Sequence, residues 1–319
     1  MNIGVVSCGG DSPGMNAAIR AIVRQGIGLG CRMLGFKYGY DGIIDGQYQE
    51  LGLASVAGIL DLGGTWLGTG RSERFRTEEG QQAALESLRL LKVDGLVVIG
   101  GDGSLRGAHA LCQKGFPVVG IPGTIDNDVY GTEVTIGFDT CLNTILDALS
   151  KLRDTASSHN RVFVVEVMGR ESGELAVNSA LAGGAEVVAI PECGMPKEAA
   201  WQAVEYGQRR GKLHTIVVVA EGACSADEMA AHLQQQLQDH EVRKSVLGHI
   251  QRGGRPTARD RILASRMGAT AVKALVEGKS DVMVGVQADK MVLVPLAEVI
   301  NGRKKLDSSL LELVSTLAL

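Results

Sequence analysis

The chain has no apolar run approaching the ~20 residues that a membrane-crossing helix requires, so no membrane span and no membrane partner are expected. It also lacks an excess of either charge. There are 32 Lys and Arg against 36 Asp and Glu, a formal net charge of −4. That balance gives no footing for a nucleic-acid partner, and any anionic ligand must be met by local groups of Arg and Lys. The six cysteines (Cys8, Cys31, Cys112, Cys141, Cys193 and Cys224) form no CxxC pair and no metal-ligand spacing, so they read as reduced thiols of a cytosolic chain. Residues 3–7 are strand-like and run straight into a glycine-rich turn, so no secretory signal and a cytoplasmic location are expected. Neither the GxxxxGK[ST] phosphate loop nor the GxGxxG dinucleotide fingerprint occurs, which argues against the two commonest nucleotide-binding loops.

What is abundant is glycine: 43 of 319 residues, about twice the usual share. The glycines cluster just after apolar runs, where they let backbone approach a ligand and adopt positive φ. The length suggests about two domains, and a hydrophobic fraction of 45% supports large cores. Short apolar, β-branched runs at 3–7, 95–99, 118–121, 162–167, 187–190, 215–220 and 282–286 read as strands. Residues 16–27 read as a helix, with Ile19, Ile22, Val23 and Ile27 on one face, and Ile145, Leu149 and Leu152 mark another. The alternation predicts α/β architecture with parallel sheets and crossover helices. A domain boundary near Asp139 is expected.

In such sheets, ligands bind at the carboxyl ends of the strands. Three runs end in loops rich in Gly, Asp and hydroxyls: residues 8–14 (CGGDSPG), 100–104 (GGDGS) and 122–128 (PGTIDND). The first can present backbone N–H groups to phosphate ahead of a helix, or serve as a tight turn that needs two glycines. In the second, glycines leave room for a polyphosphate and Asp102 is a hard oxygen ligand suited to Mg²⁺; an ordinary N-cap is the alternative. In the third, Asp126 and Asp128 are paired carboxylates, one of which can take a proton from an attacking alcohol; an Asx-rich turn is the alternative. Countercharge comes from a group at Arg71, Arg74 and Arg76, and from Arg161, Arg170, Arg243 and Arg252 beside strands or Gly-rich turns.

The segments GGDSPGMNAAIR, GGDGS, GIPGTIDND, VVEVMGR, and VLGHIQRGG followed by DRILASRMGA occur in order over nearly the whole chain. They are similar to those of bacterial ATP-dependent 6-phosphofructokinases. The resemblance implies two doubly wound α/β domains with mainly parallel sheets and the active site in the cleft between them. Residues 1–138 plus 251–300 would bind ATP, and 139–250 plus 301–319 the sugar phosphate. It implies phosphoryl transfer from Mg-ATP to the 1-hydroxyl of fructose 6-phosphate, a glycolytic step, by a cytoplasmic homotetramer that uses Mg²⁺. By the same resemblance, Gly10, Tyr40, Arg71, Ser72 and the loop Asp102, Gly103, Ser104 and Leu105 hold ATP, with Asp102 on the metal. Asp126 is the general base, Thr124 and Asp128 flank the transferring phosphoryl, and Arg170 steadies its charge. Met168, Gly169, Glu221, His249 and Arg252 contact the sugar phosphate. Arg161 and Arg243 reach in from a neighbouring subunit.

Pyrophosphate-dependent members of the family carry a bulky charged residue where this chain has Gly103 and a Lys where it has Gly123, so the expected donor is ATP. Two positions depart from the family pattern. Ser72 stands where an aromatic residue is usual. Leu53 replaces an Arg of the effector site, whose other expected residues are Arg20, Arg24, Arg153, Glu186, Arg210 and Lys212. The competing readings are a kinase for another phosphosugar, such as tagatose or sedoheptulose phosphate, and a non-catalytic nucleotide sensor. Loss of Asp102, Asp126 or Arg170 would mark the sensor, and all three are present.

Overall fold

The computed structural model describes residues 1–159, 161–193, 197–212, 214–237 and 240–318. In chain order its strands are β1 (Asn2–Ser7), β2 (Arg32–Phe36), β3 (Tyr48–Leu51), β4 (Gly95–Gly100), β5 (Val118–Pro122), β6 (Val162–Val167), β7 (Val187–Ala189), β8 (Thr215–Ala220), β9 (Val242–Val246), β10 (Val282–Gln287) and β11 (Lys290–Pro295). The helices are α1 (Met15–Gly28), α2 (Gly39–Ile44), α3 (Glu78–Leu90), α4 (Asp102–Gln113), α5 (Phe138–His159), α6 (Glu174–Gly183), α7 (Lys197–Arg209), α8 (Ala226–Gln236), α9 (Ala258–Val276), α10 (Leu296–Asn301) and α11 (Ser308–Leu317). The chain divides into two compact units, Met1–Thr140 with Arg252–Lys304, and Cys141–Gln251 with Lys305–Leu319.

Unit 1 is built on a seven-stranded sheet in the order β11-β10-β5-β4-β1-β2-β3. The pairs linking β10, β5, β4, β1 and β2 are parallel, and β3 and β11 close the two edges antiparallel. The central strands alternate between two apolar layers. Val97, Ile99, Val119 and Ile121 belong to a cluster with Ile19, Ile22 and Val23 of α1 and Ala264, Met267 and Ala271 of α9. Leu96, Val98 and Val118 belong to a second cluster with Leu85 and Leu88 of α3 and Leu105 and Leu111 of α4. Burial on both faces is why these strands read as unbroken apolar runs. Helices α1 and α9 pack closely at Gly268, where a Cβ would lie 2.8 Å from the Ala18 carbonyl oxygen.

Unit 2 has a four-stranded, all-parallel sheet in the order β7-β8-β6-β9. Val162, Val164, Val217 and Val219 pack against Ala200 and Val204 of α7 and Met229 and Leu233 of α8. The seven strands expected from sequence all form, with minor shifts at their ends. Strands β2, β3, β9 and β11 were not anticipated.

One buried carboxylate organises the start of α5. Asp260, on α9, is 0% exposed. It accepts hydrogen bonds from the Gly137 N–H (2.9 Å), the Thr140 N–H (2.8 Å) and the Thr140 hydroxyl (2.5 Å). It thereby satisfies donors that the first turn of a helix leaves without intrahelical partners. Its own N–H donates to Thr257 Oγ1. Burial raises the Asp260 pKa, and the three hydrogen bonds oppose that rise.

Asp260→Asn turns an NH₂ group towards these N–H donors. Leaving one buried donor unsatisfied costs about 1–3 kcal/mol, and a drop of that size is expected in thermal or urea unfolding. The pH dependence has a definite sign. The folded carboxyl holds its proton above the unfolded value of about 3.9, so the native state binds more protons than the unfolded one in that window. Its contribution is therefore fully present at the acid end and declines as pH rises through the folded pKa. The stability gap between parent and Asp260→Asn should narrow as pH rises from about 4. A gap that widens over that range would contradict the assignment.

Candidate active site

The three Gly- and Asp-rich loops lie side by side. They follow β1, β4 and β5, which are hydrogen-bonded neighbours running parallel, with Ser7 paired to Ile99 and Gly100 to Pro122. Backbone bonds continue the pairing into the loops, from the Cys8 N–H to the Ile99 carbonyl (2.9 Å) and from the Gly123 N–H to the Gly100 carbonyl (3.0 Å). A Cβ on Gly100 would come within 2.5 Å of both the Cys8 carbonyl oxygen and Ser104 Oγ, so glycine is required there. A Cβ on Gly10 would lie 2.8 Å from Arg252 Nη1, so the Arg252 guanidinium rests against the first loop.

The second loop opens α4. Gly101 is its N-cap, and no side chain caps the first turn, so the leading N–H groups are open to an anion. Asp102 is the first helical residue. Its carboxylate, about half exposed, pairs with Arg106 one turn on (3.1 Å). Gly103 is exposed and a Cβ there meets nothing within 4 Å, whereas Ser104 and Leu105 point inward. Tyr40 is 5% exposed. Its hydroxyl donates to the Ser104 carbonyl (2.6 Å) and its ring stacks on Phe75 at 3.8 Å between centroids, so it supports the loop from beneath. Burial pushes its pKa well above the usual tyrosine value.

The third loop is pinned by Asn127 and Thr135. Asn127 has φ +51°, a left-handed conformation that asparagine tolerates. Its side-chain oxygen accepts from the Thr135 N–H (3.0 Å), and the Thr135 hydroxyl donates to the Thr124 carbonyl (2.6 Å). Thr124 Oγ1 in turn accepts from the Asp126 N–H (3.2 Å). Asp126 is 3% exposed and Asp128 half-buried. Gly123 is closely packed, since a Cβ would sit 3.0 Å from Ile99 and 3.1 Å from Met15. Thr124 faces Gly101, which brings the second and third loops together.

Of the three arginines at 71–76, Arg74 pairs with Asp45 (2.9 Å) and Arg76 with Glu73 (3.1 Å), while Arg71 is exposed. Ser72 donates to Asp41 Oδ1 (2.5 Å) and accepts from the Phe75 N–H (3.0 Å), so its hydroxyl builds the turn.

In unit 2, Met168, Gly169 and Arg170 follow β6 as a strained loop, with φ +137° at Gly169 and +53° at Arg170. Glu221, just after β8, receives the N–H groups of Gly169 (3.3 Å) and Arg170 (2.9 Å) on Oε1. Gln251, fully buried and not foreseen, accepts from the Met168 N–H (3.2 Å) and donates to the Gly248 carbonyl (3.0 Å). It ties that loop to the 3-10 turn Gly248–Arg252, where His249 is exposed. Met168, Gly169, Arg170, Glu221 and His249 thus gather at the carboxyl ends of β6, β8 and β9.

Arg161 and Arg243 do not join them. They lie at the starts of β6 and β9, six residues or about 20 Å of strand away. There both pair with Glu241, a residue that sequence reading passed over.

Of the expected effector residues, Arg20 and Arg24 lie one turn apart on α1. In unit 2, Arg153 donates to the Gly183 and Gly184 carbonyls at the end of α6. Glu186 accepts from the Ile216 N–H (2.8 Å), Lys212 reaches the Ala318 carbonyl and Glu186, and Arg210 stacks over Tyr206. Leu53 is exposed.

Among the described residues, no three His, Cys, Asp or Glu side chains form a metal cage. A divalent cation would be met by the half-exposed Asp102 carboxylate, leaving its other positions to phosphate oxygens and water. That donor set suits magnesium, which is characteristically bound through one or two carboxylates plus substrate phosphates.

A family model described as Phosphofructokinase matches residues 2–275. The chain is 50% identical over 317 residues to an ATP-dependent 6-phosphofructokinase of Shouchella clausii, covering 99% of both chains. It is 54% identical over 321 residues to ATP-dependent 6-phosphofructokinase 1 of Thermus thermophilus, again covering 99% of each. Among solved structures it resembles phosphofructokinase from Saccharomyces cerevisiae, with a TM-score of 0.89 and 34% identity, covering 99% of this chain and 48% of that one.

Two glycines make contrasting predictions. A Cβ on Gly222 would overlap the Arg170 carbonyl oxygen, so Gly222→Ala should lower stability by about 1–3 kcal/mol, the usual cost of overpacking. Gly103 lies in the first turn of α4 facing open space, so Gly103→Ala should be neutral or stabilise by up to about 1 kcal/mol. Thermal melts of the two variants decide it, and equal effects would contradict the packing described.

Proposed function

The chain belongs to the phosphofructokinase family, and on that premise we propose that it transfers the γ-phosphoryl group of ATP to the 1-hydroxyl of fructose 6-phosphate, giving fructose 1,6-bisphosphate. The observation that carries this reading is the alignment of the three loops at the level ends of β1, β4 and β5, with open helix N–H groups, Asp102 and Asp126 all on that side of one sheet.

Phosphoryl transfer proceeds through a loose transition state in which positioning and electrostatics do most of the catalysis. Gly10 and the loop 102–105 hold the ATP phosphates, with Arg71 and Ser72 nearer the nucleoside and Tyr40 shaping the loop from below. Asp102 would hold Mg²⁺, which when bound offsets the charge of the β- and γ-phosphates. Asp126 accepts the proton of the 1-hydroxyl as that oxygen attacks. Thr124 and Asp128 orient the groups around it, and Arg170 steadies charge on the transferring phosphoryl. Met168, Gly169, Glu221, His249 and Arg252 bind the sugar phosphate.

Arg161 and Arg243 serve the sugar site of a neighbouring subunit in a homotetramer. Arg161 at the start of β6 lies a strand's length from residues 168–170, and Arg243 at the start of β9 lies a strand's length from His249, which supports that division of labour. Residues 1–138 with 251–300 form the nucleotide domain and the remainder the sugar-phosphate domain. The enzyme works in the cytoplasm, in keeping with six free thiols, four of them buried. Its response to phosphate-bearing effectors is muted: Leu53 contributes no charge, and Arg153 and Lys212 are engaged within unit 2.

Asp126→Ser should lower kcat by at least ~10², the usual range for losing a general base, with ATP affinity within a few-fold of the parent. A kcat close to the parent's would remove Asp126 from that role.

Donor choice follows from Gly103 and Gly123. The first leaves room for the nucleotide, and the second, where the pyrophosphate-dependent members carry a Lys, is packed closely against Ile99 and Met15. Turnover is expected with Mg-ATP and essentially none with pyrophosphate. Faster turnover with pyrophosphate at equal concentration would overturn the assignment.

A further inference from the structure

We propose that Glu241 is a positioning residue that holds Arg161 and Arg243 as a single two-guanidinium receptor for the sugar phosphate. The proposal rests on the reading of those two arginines as phosphate ligands, and adds the residue that makes them a unit.

The arrangement starts from the strand register. Parallel pairing sets Val162 beside Val242 and Phe163 beside Arg243, so residues 161, 241 and 243 meet at one end of the β6–β9 pair. The Val162 N–H donates to the Glu241 carbonyl (3.1 Å), and the Arg161 carbonyl accepts from the Thr215 N–H (3.2 Å), which fixes the backbone on both sides. The Glu241 side chain then bridges. Oε2 accepts from Arg161 Nε and Oε1 from Arg243 Nη2. The hydrogen bond from Arg161, followed by the charges of Arg161 and Arg243, holds the Glu241 carboxyl below the usual glutamate range.

Two guanidiniums gathered near one another repel, and each is a flexible side chain with many rotamers. A carboxylate between them offsets the repulsion and restricts both. Because Arg161 binds it through Nε and Arg243 through one Nη, each keeps further N–H groups for a second acceptor. The cluster carries a net charge of +1, with Arg161 about three-quarters buried at the side chain and Arg243 half-exposed. A phosphate dianion therefore meets donors already oriented, and the ordering that would otherwise accompany binding is largely complete beforehand.

The test uses the full-length enzyme, with Glu241→Gln, Glu241→Asp, Arg161→Ala, Arg243→Ala, the double Arg161→Ala/Arg243→Ala and the triple Arg161→Ala/Arg243→Ala/Glu241→Gln. Glu241→Gln should raise KM for fructose 6-phosphate about tenfold, equivalent to about 1.4 kcal/mol. The kcat should stay within about twofold, with KM for ATP, melting temperature and oligomer size by light scattering unchanged. Glu241→Asp should recover part of the loss. With both arginines already replaced, Glu241→Gln should have no further effect, because nothing remains to position. If Arg243→Ala raises KM and Glu241→Gln leaves it unchanged or lowers it, Glu241 is a bystander or a competitor and the proposal is overturned. If neither arginine variant changes KM, the assignment of the arginines as phosphate ligands fails first, and the role of Glu241 falls with it.

Discussion

Three parallel strands that end at one level create the constraint on which the rest of the structure depends. Because β1, β4 and β5 are in register through Ser7, Ile99, Gly100 and Pro122, the three following loops must turn away within a few ångströms of one another. There is little room for further side chains. A Cβ on Gly100 would collide with Cys8 and Ser104, one on Gly123 would press on Ile99 and Met15, and one on Gly9 would lie 3.0 Å from Ser104 Oγ. The glycines of these loops are the local answer to this crowding, and they leave backbone N–H groups and a few polar side chains as the lining. The same crowding turns Asp126 inward, where the Thr124 hydroxyl and the Asn127–Thr135 bonds hold its loop.

Charge is arranged with a comparable economy. Arg106 pairs with Asp102, Arg74 with Asp45, Arg76 with Glu73, and Arg161 and Arg243 with Glu241. Pairs that stand largely in solvent, as most of these do, contribute little to stability. They orient their guanidiniums, and the proposed phosphate ligands among them, Arg161 and Arg243, keep N–H groups for a bidentate acceptor. Asp260 is the opposite case. It is fully buried, its partners are backbone N–H groups and one hydroxyl, and its role is to fix the start of α5.

What could be read from the sequence follows from burial and range. Strands covered on both faces, such as β4 and β5, show as continuous apolar runs. Strand β9, Val-Arg-Lys-Ser-Val, lies at a sheet edge and is largely exposed, so it carries no such signature. Strand β2, Arg-Met-Leu-Gly-Phe, is only five residues long and interrupted by Gly35, β3 is an antiparallel edge strand with polar residues interspersed, and β11 is half-covered. At the site, the loop residues were legible because their types and spacing are local. Gln251 and Asp260 were not, because their partners are 83 and up to 123 residues away. The one local trace of Asp260 is the Thr257-x-x-Asp260 spacing of a helix start, and it points to a cap rather than to Gly137 and Thr140. Glu241 was hidden by an ordinary appearance: a lone glutamate before a charged edge strand looks like solvated surface until the register places two arginines against it.

Position 72 shows how a departure from the family pattern is absorbed. The usual aromatic side chain would offer apolar contact to a nucleoside, worth about 0.5–1.5 kcal/mol. Here the serine hydroxyl instead binds Asp41 and the Phe75 N–H. Phe75 in turn lies flat against Tyr40, and the Tyr40 hydroxyl reaches the Ser104 carbonyl in the loop that opens α4. A chain of contacts therefore runs from residue 72 to the loop that opens α4. Two buried or part-buried hydrogen bonds at about 0.5–1.5 kcal/mol each are of the same order as the aromatic contact they replace. On the proposed reading of residue 72 as a nucleotide contact, the exchange moves interaction energy from recognition of the base to ordering of the loop, so base discrimination, rather than fold stability, is the property that this substitution is expected to reduce.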